Sequence, residues 1–195
     1  NYASYDLVRK MRASFLVMGP LLARYGNAKV SLPGGCAIGD RPINIHLDGF
    51  KKMGVRFIIE DGYVIGHIEG ALKGTEVNLP IRSVGATENI MMAATLALGR
   101  TTISNAAKEP EVIDLGNFLQ SMGAKISGLG TDQISIIGVS KLCGSEYSVM
   151  ADRIEAGTFI LLVLGCSGSL KLTNLDERVI DNYIKIFKLF KELSF

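Results

Sequence analysis

One pattern recurs in this chain and restricts its fold more than any other feature. It is a helix stopped by glycine, a strand, a second glycine-stopped helix, and a two-stranded hairpin. Ser14 to Tyr25 has helical spacing and stops at Gly26, and Asn27 to Leu32 reads as a strand. Ile43 to Met53 is amphipathic, with Ile43, Leu47, Phe50 and Met53 on one face, and stops at Gly54. Val55 to Glu60 and Tyr63 to Ile68 form a hairpin across Asp61-Gly62, a strong turn signal. The order then repeats. Thr87 to Leu98 is a helix stopped at Gly99, and Thr101 to Ser104 a strand. Glu111 to Met122 is a helix stopped at Gly123, and Ala124 to Ser127 with Gln133 to Ile137 a second hairpin. Gly54 and Gly123 lie 69 residues apart and Gly26 and Gly99 lie 73 apart, so the copies differ by loop insertions. A third copy begins with a helix from Gly157 to Gly165, a strand from Ser169 to Thr173 and a helix from Val179 to Leu193. No third hairpin follows, and the chain starts at Asn1 rather than Met. We expect an α/β (α+β) fold of repeated helix–strand–helix–strand–strand units, incomplete, with Phe195 as a truncation point.

Composition excludes several function classes. Net charge is +2, from 21 Lys and Arg against 19 Asp and Glu, which gives no polycationic surface for bulk nucleic-acid binding. Hydrophobic residues make up 48%, enough for a substantial core. The longest apolar run, near residue 160, falls far short of the roughly 20 residues needed to span a bilayer. We expect neither a membrane association nor a signal peptide. Three irregularly spaced cysteines argue against a disulfide framework and for a reducing compartment. Cys166 ends an apolar run and is expected in the core, and Cys143 has no chemistry around it. His46 and His67 stand alone, without metal-ligand spacing, and are expected at the surface or half-buried. No metal is implied. Lys185, Lys188 and Lys191 oppose Ile184, Phe187 and Phe190, the pattern of a core-facing helix with a solvated lysine face.

The stretch from Ser31 to Pro42 carries the chemistry. Cys36 sits among Gly34, Gly35 and Gly39 with Pro33 and Pro42 outside them, which reads as a loop able to move. Arg41 follows five residues later, and a cation folded beside the thiol lowers its pKa. Taken alone, the same residues also fit a turn between strands with a small apolar cysteine.

With the repeats, this loop resembles the UDP-N-acetylglucosamine 1-carboxyvinyltransferases, the enolpyruvyl transferases that open peptidoglycan synthesis. The matching residues run in order along essentially the whole chain. They are Tyr5-Asp6-Leu7-Val8 and Met11-Arg12-Ala13-Ser14, Leu32 to Gly39 with Arg41-Pro42, and Ser83-Val84-Gly85-Ala86-Thr87. Asn105-Ala106-Ala107 with Glu109-Pro110-Glu111, and Asp152-Arg153-Ile154-Glu155 with Gly157-Thr158, complete them. The resemblance implies two inside-out α/β barrel lobes of three units each, with the site in the cleft between them. Residues 1–150 would be the lobe that bears the cysteine loop, lacking its first repeat, and residues 151–195 the start of the second lobe.

The implied reaction moves the enolpyruvyl group of phosphoenolpyruvate to the 3-hydroxyl of UDP-N-acetylglucosamine and releases phosphate. It passes through a tetrahedral intermediate and needs an acid, a base and cations around the phosphate and carboxylate. Cys36 would be the proton donor, the residue that forms a covalent phosphoenolpyruvate adduct, and the target of fosfomycin. Arg41 would bind phosphate, and Arg12 would bind ligand in the cleft. Arg41, Pro42, Ile43, Asn44 and Ile45 match the segment that holds the uridine end. Ser83, Val84 and Gly85 match the turn whose N–H groups face the diphosphate, with Arg82 beside them where some relatives carry a different residue. Arg153 would belong to the substrate site from the second lobe. Each has a plainer role: Arg41 can pair with Asp40, the serine turn can be a helix cap, and Arg153 can pair with Asp152 or Glu155.

No cofactor is implied, and the expected location is the cytoplasm. The oligomeric state stays open. The family's lysine–asparagine pair, general-base aspartate and further cleft arginines have no counterpart in these residues, so we expect the 195-residue chain alone to be inactive. Two other readings stay open: a shikimate-pathway-type enolpyruvyl transferase, and a non-catalytic ligand-binding paralogue. A thiol redox protein is disfavoured because neither Cys143 nor Cys166 has C-x-x-C spacing to Cys36.

Overall fold

The computed structural model describes residues 1–8, 10–33, 43–166, 168–175 and 183. They fall into two compact units, Asn1–Tyr147 and Ser148–Phe195.

The first unit contains two four-stranded mixed sheets with the same plan. In the first, β1 (Tyr2–Ala3) runs parallel to β2 (Asn27–Ser31), and β4 (Tyr63–His67) pairs antiparallel with both β2 and β3 (Arg56–Glu60). In the second, β5 (Glu76–Asn78) runs parallel to β6 (Arg100–Ser104), and β8 (Gln133–Ile137) pairs antiparallel with both β6 and β7 (Lys125–Ser127). Asp61 and Gly62 both take positive φ, 51° and 77°, as the tight turn between β3 and β4 requires.

Both sheets carry one strand more than the recurrent pattern predicts. Strands β1 and β5 have two and three residues, too few to show alternation, and pairing with β2 and β6 alone defines them. A short helix α1 (Tyr5–Val8) was likewise not expected. The predicted helix from Ser14 splits into a 3-10 stretch, Arg12–Val17, and α2 (Met18–Tyr25). Pro20 explains the break, because its ring opposes the carbonyl four residues earlier and keeps the α-helix from starting sooner.

The other helices are α3 (Asn44–Lys52), α4 (Val84–Ala94) and α5 (Pro110–Ser121). Helix α4 begins earlier than Thr87, because Ser83 caps it, and ends earlier than Leu98, where Leu96 and Ala97 donate to carbonyls three residues back. Apolar residues make up most of α4, and it is largely buried, with Ala86, Ile90, Met91, Ala93 and Ala94 inaccessible to solvent and the polar Thr87 and Asn89 buried beside them. It packs on α2, α3, α5, β6 and β8, so one hydrophobic core, with Phe50, Met18, Met53 and Ile134 among its largest members, serves both sheets. Close approach needs glycine at two points. A Cβ on Gly19 would strike the backbone and side-chain oxygens of Asn89, and one on Gly49 would strike Ile90.

The second unit contains α6 (Arg153–Cys166), whose start is capped by Asp152 Oδ1, which accepts from Ile154 N at 2.7 Å and Glu155 N at 3.2 Å. Ile154, Phe159, Leu161, Leu162 and Leu164 are exposed. Cys166 is exposed with them, contrary to its expected place in a core. The predicted strand from Ser169 to Thr173 is not one. Among the described residues no strand borders it, and a strand exists only as part of a ladder. The predicted helix from Val179 to Leu193 lies outside the described residues except for Tyr183, whose hydroxyl donates to the Arg153 carbonyl.

Candidate active site

Three segments of the first unit meet around a cleft of about 550 Å³. The 3-10 stretch supplies Arg12, Ala13, Phe15 and Leu16, the start of α3 supplies Ile43, Ile45 and His46, and the start of α4 supplies Ile81 to Gly85 and Glu88. Of the site residues named from sequence, Arg12, Ile43, Ile45, Arg82, Ser83, Val84 and Gly85 therefore share one cavity. Asn44 opens α3 on its exposed side and does not line the cleft. Arg153 lies in the second unit, within α6. Cys36, Arg41 and Pro42 lie outside the described residues.

The start of α4 presents backbone donors. Ser83 is extended, and its Oγ accepts from Ala86 N at 3.3 Å while its carbonyl accepts from Thr87 N at 2.9 Å. The N–H groups of Val84 and Gly85 have no partner among the described residues. Two open N–H groups at the positive end of a helix favour an anion. Thr87 Oγ1 donates to the Ser83 carbonyl at 2.8 Å and accepts from Ala107 N at 3.1 Å, which ties the capping turn to the loop after β6.

Charge around the cleft is mixed. The Arg82 guanidinium pairs with Asp132, which also takes Lys108 at 2.8 Å, so Arg82 reaches the rim as part of an ion-pair cluster. Lys108 and Arg82 hold the Asp132 carboxyl below its ordinary range. Burial, with Glu111 and Glu109 adding repulsion, pushes Glu88 up to about 7. Burial, then the nearby Arg12 charge, holds His46 down at about 4.

His46 is the residue that sequence reading missed. It was expected at the surface or half-buried, yet it is 8% exposed, edge-on to the Phe15 ring with centroids 5.4 Å apart. Its Nδ1 lies 3.1 Å from Asn89 Nδ2. Its neighbour in the Arg41-Pro42-Ile43-Asn44-Ile45 segment was the one available signal. His67 is exposed, as expected.

The architecture agrees with the comparisons to known proteins. A family model described as EPSP synthase (3-phosphoshikimate 1-carboxyvinyltransferase) matches residues 1–193. The chain belongs to this family. Among curated members, a UDP-N-acetylglucosamine 1-carboxyvinyltransferase of Idiomarina loihiensis is 56% identical over 183 residues, covering 94% of this chain and 44% of that protein. The protein of the same name from Aeromonas hydrophila is 53% identical over 181 residues, covering 93% and 43%. This EPSP synthase-family chain thus spans less than half the length of the curated relatives it matches. Among solved structures, the enolpyruvyl transferase NikO from Streptomyces tendae superposes with a TM-score of 0.73 at 22% identity, over 96% of this chain and 45% of that one. An EPSP synthase from Acinetobacter baumannii superposes with a TM-score of 0.62 at 22% identity, over 78% and 34%. These likenesses establish the mixed α/β fold of the family.

Proposed function

We propose that this chain carries the cysteine-loop side of a UDP-N-acetylglucosamine 1-carboxyvinyltransferase site. The observation that carries the reading is the convergence of Arg12, Ile43, Ile45 and the Ser83-Val84-Gly85 turn on one cleft whose floor is a helix start with two open N–H groups. That floor suits the diphosphate of a sugar nucleotide, and the names of relatives at 53–56% identity support the same substrate. Residues 1–150 act as the cysteine-loop lobe and residues 151–195 as part of the second.

In this reading the segment Arg41, Pro42, Ile43, Asn44 and Ile45 holds the uridine end, with Ile43 and Ile45 in the cleft and Asn44 on its exposed side, Arg41 also binds phosphate, and Arg12 binds ligand in the cleft. Cys36 protonates the methylene carbon to a methyl while the sugar 3-hydroxyl, giving its proton to a base outside these residues, adds to C2; the tetrahedral intermediate then loses a proton from that methyl and phosphate from C2 as the vinyl double bond re-forms. Arg82 acts through the Asp132 cluster at the rim, and Arg153 enters from the second lobe. The product commits a sugar nucleotide to peptidoglycan in the bacterial cytoplasm, and with it to cell shape and division. Among the described residues no helix is long and apolar enough to cross a membrane.

The test is amide chemical shifts of the chain titrated with UDP-N-acetylglucosamine or shikimate 3-phosphate, with fosfomycin labelling of Cys36 read by mass spectrometry. Shifts at Val84 and Gly85 with the sugar nucleotide alone, and faster labelling of Cys36 in its presence, are expected. Response to shikimate 3-phosphate instead would transfer the chain to the shikimate-type reading. Response to neither would overturn both.

A further inference from the structure

We infer that Asn89 is a positioning residue that fixes His46 with its proton on Nε2, so that the imidazole serves as an uncharged hydrogen-bond donor into the cleft. The tautomer follows from donor and acceptor bookkeeping. Gly19 N can only donate, and it lies 2.8 Å from Asn89 Oδ1, which sets the orientation of the amide. Asn89 Nδ2 then has two hydrogens and no lone pair to offer. One goes to the Phe15 carbonyl at 3.1 Å, which can only accept. The other meets His46 Nδ1 at 3.1 Å, so Nδ1 must carry the lone pair and Nε2 the proton. Asn89 is fully buried, so water cannot substitute for any of these partners.

The opposite edge of the ring faces the anion site. A Cβ built on Gly85 would lie 3.4 Å from His46 Cε1 and 3.7 Å from Nε2, and Nε2 has no partner among the described residues. A buried side-chain N–H thus stands beside the two open backbone N–H groups at the start of α4. The charged groups sharing the cleft are Arg12 from the 3-10 stretch and Arg82 and Glu88 from around the start of α4. Protonating Nδ1 would set two N–H groups against each other next to the Arg12 charge, so the donor stays neutral across the physiological range. The tautomer rests on this chain alone. Naming the recipient as a phosphate oxygen of a nucleoside diphosphate rests on the function proposed above.

The chain has two histidines, which makes the test direct. Ring nitrogen spectra of the ¹⁵N-histidine-labelled chain should show His46 with a pyridine-type Nδ1 and a pyrrole-type Nε2, unchanged from pH 8 to pH 5. Averaged shifts, or titration near the ordinary histidine range, would overturn the inference with no variant needed. Asn89→Asp places an acceptor opposite Nδ1 and should move the proton there and raise the His46 titration by at least one pH unit. An unaltered tautomer in that variant would also overturn it. Added UDP should shift Nε2 together with the Val84 and Gly85 amides. His46→Ala should weaken UDP about tenfold, the equivalent of one hydrogen bond, and His46→Gln should restore most of that. Amides that respond while Nε2 does not would remove the donor role and leave the proposed function standing. No response at either would remove the proposed function, whereas the tautomer is decided before any ligand is added.

Discussion

His46 and Glu88 line one cleft and titrate in opposite senses. The folded chain holds His46 at about 4 against an ordinary 6.5, so the unfolded chain takes up that proton first. Stability is lost as pH falls through 6.5, and the loss is complete below about 4. Glu88 stands at about 7 against an ordinary 4.5, so the folded chain binds that proton first. Stability is lost as pH rises from 4.5 through 7. Between pH 4.5 and 6.5 the two slopes oppose each other. Glu88→Gln removes one of them. Relative to wild type, this variant should gain stability as pH rises through that window, by up to about 1 kcal/mol per pH unit. Urea unfolding in pH steps measures it, and a difference independent of pH would place Glu88 in its ordinary range. None of this opposition is visible in the sequence, because Glu88 and His46 are 42 positions apart and their burial is a product of packing.

Among the elements, α4 has the most to lose at its first turn. Ser83→Ala removes the acceptor for Ala86 N and should cost about 1 kcal/mol, read from the denaturation midpoint. The same change should broaden the Val84 and Gly85 amide signals, because the turn that aims them is no longer closed. Sequence alone made this cap and most elements legible. Glycine stops at Gly26, Gly54 and Gly123 take positive φ at their helix ends, whereas Gly99 takes it five residues past the end of α4, and Asp61-Gly62 makes the expected turn. What stayed hidden depends on partners distant in sequence. Strands β1 and β5 exist only through pairing with β2 and β6. Asn89 acquires its role from Phe15, Gly19 and His46, the first of them 74 residues away. The cysteine loop is different: Cys36 and Arg41 are legible as a sequence motif and lie outside the described residues.

For the molecule as a whole, the shared core decides how the first unit unfolds. Ile90 is inaccessible to solvent and sits against Gly49 of α3, so it bridges the halves built on the two sheets. Ile90→Ala should cost roughly 2–5 kcal/mol. Hydrogen exchange should then accelerate together in β4 and β8, which lie in different sheets. Acceleration confined to β8 would mean that the repeats unfold independently. The seam where they dock also holds the cleft, since the 3-10 stretch and α3 belong to the first repeat and α4 to the second. Neither repeat carries the pocket by itself. The pocket therefore exists only where two copies of the unit pack together, and Asn89 answers to both: a substitution there is judged once for whether the copies still adhere and again for what they hold between them.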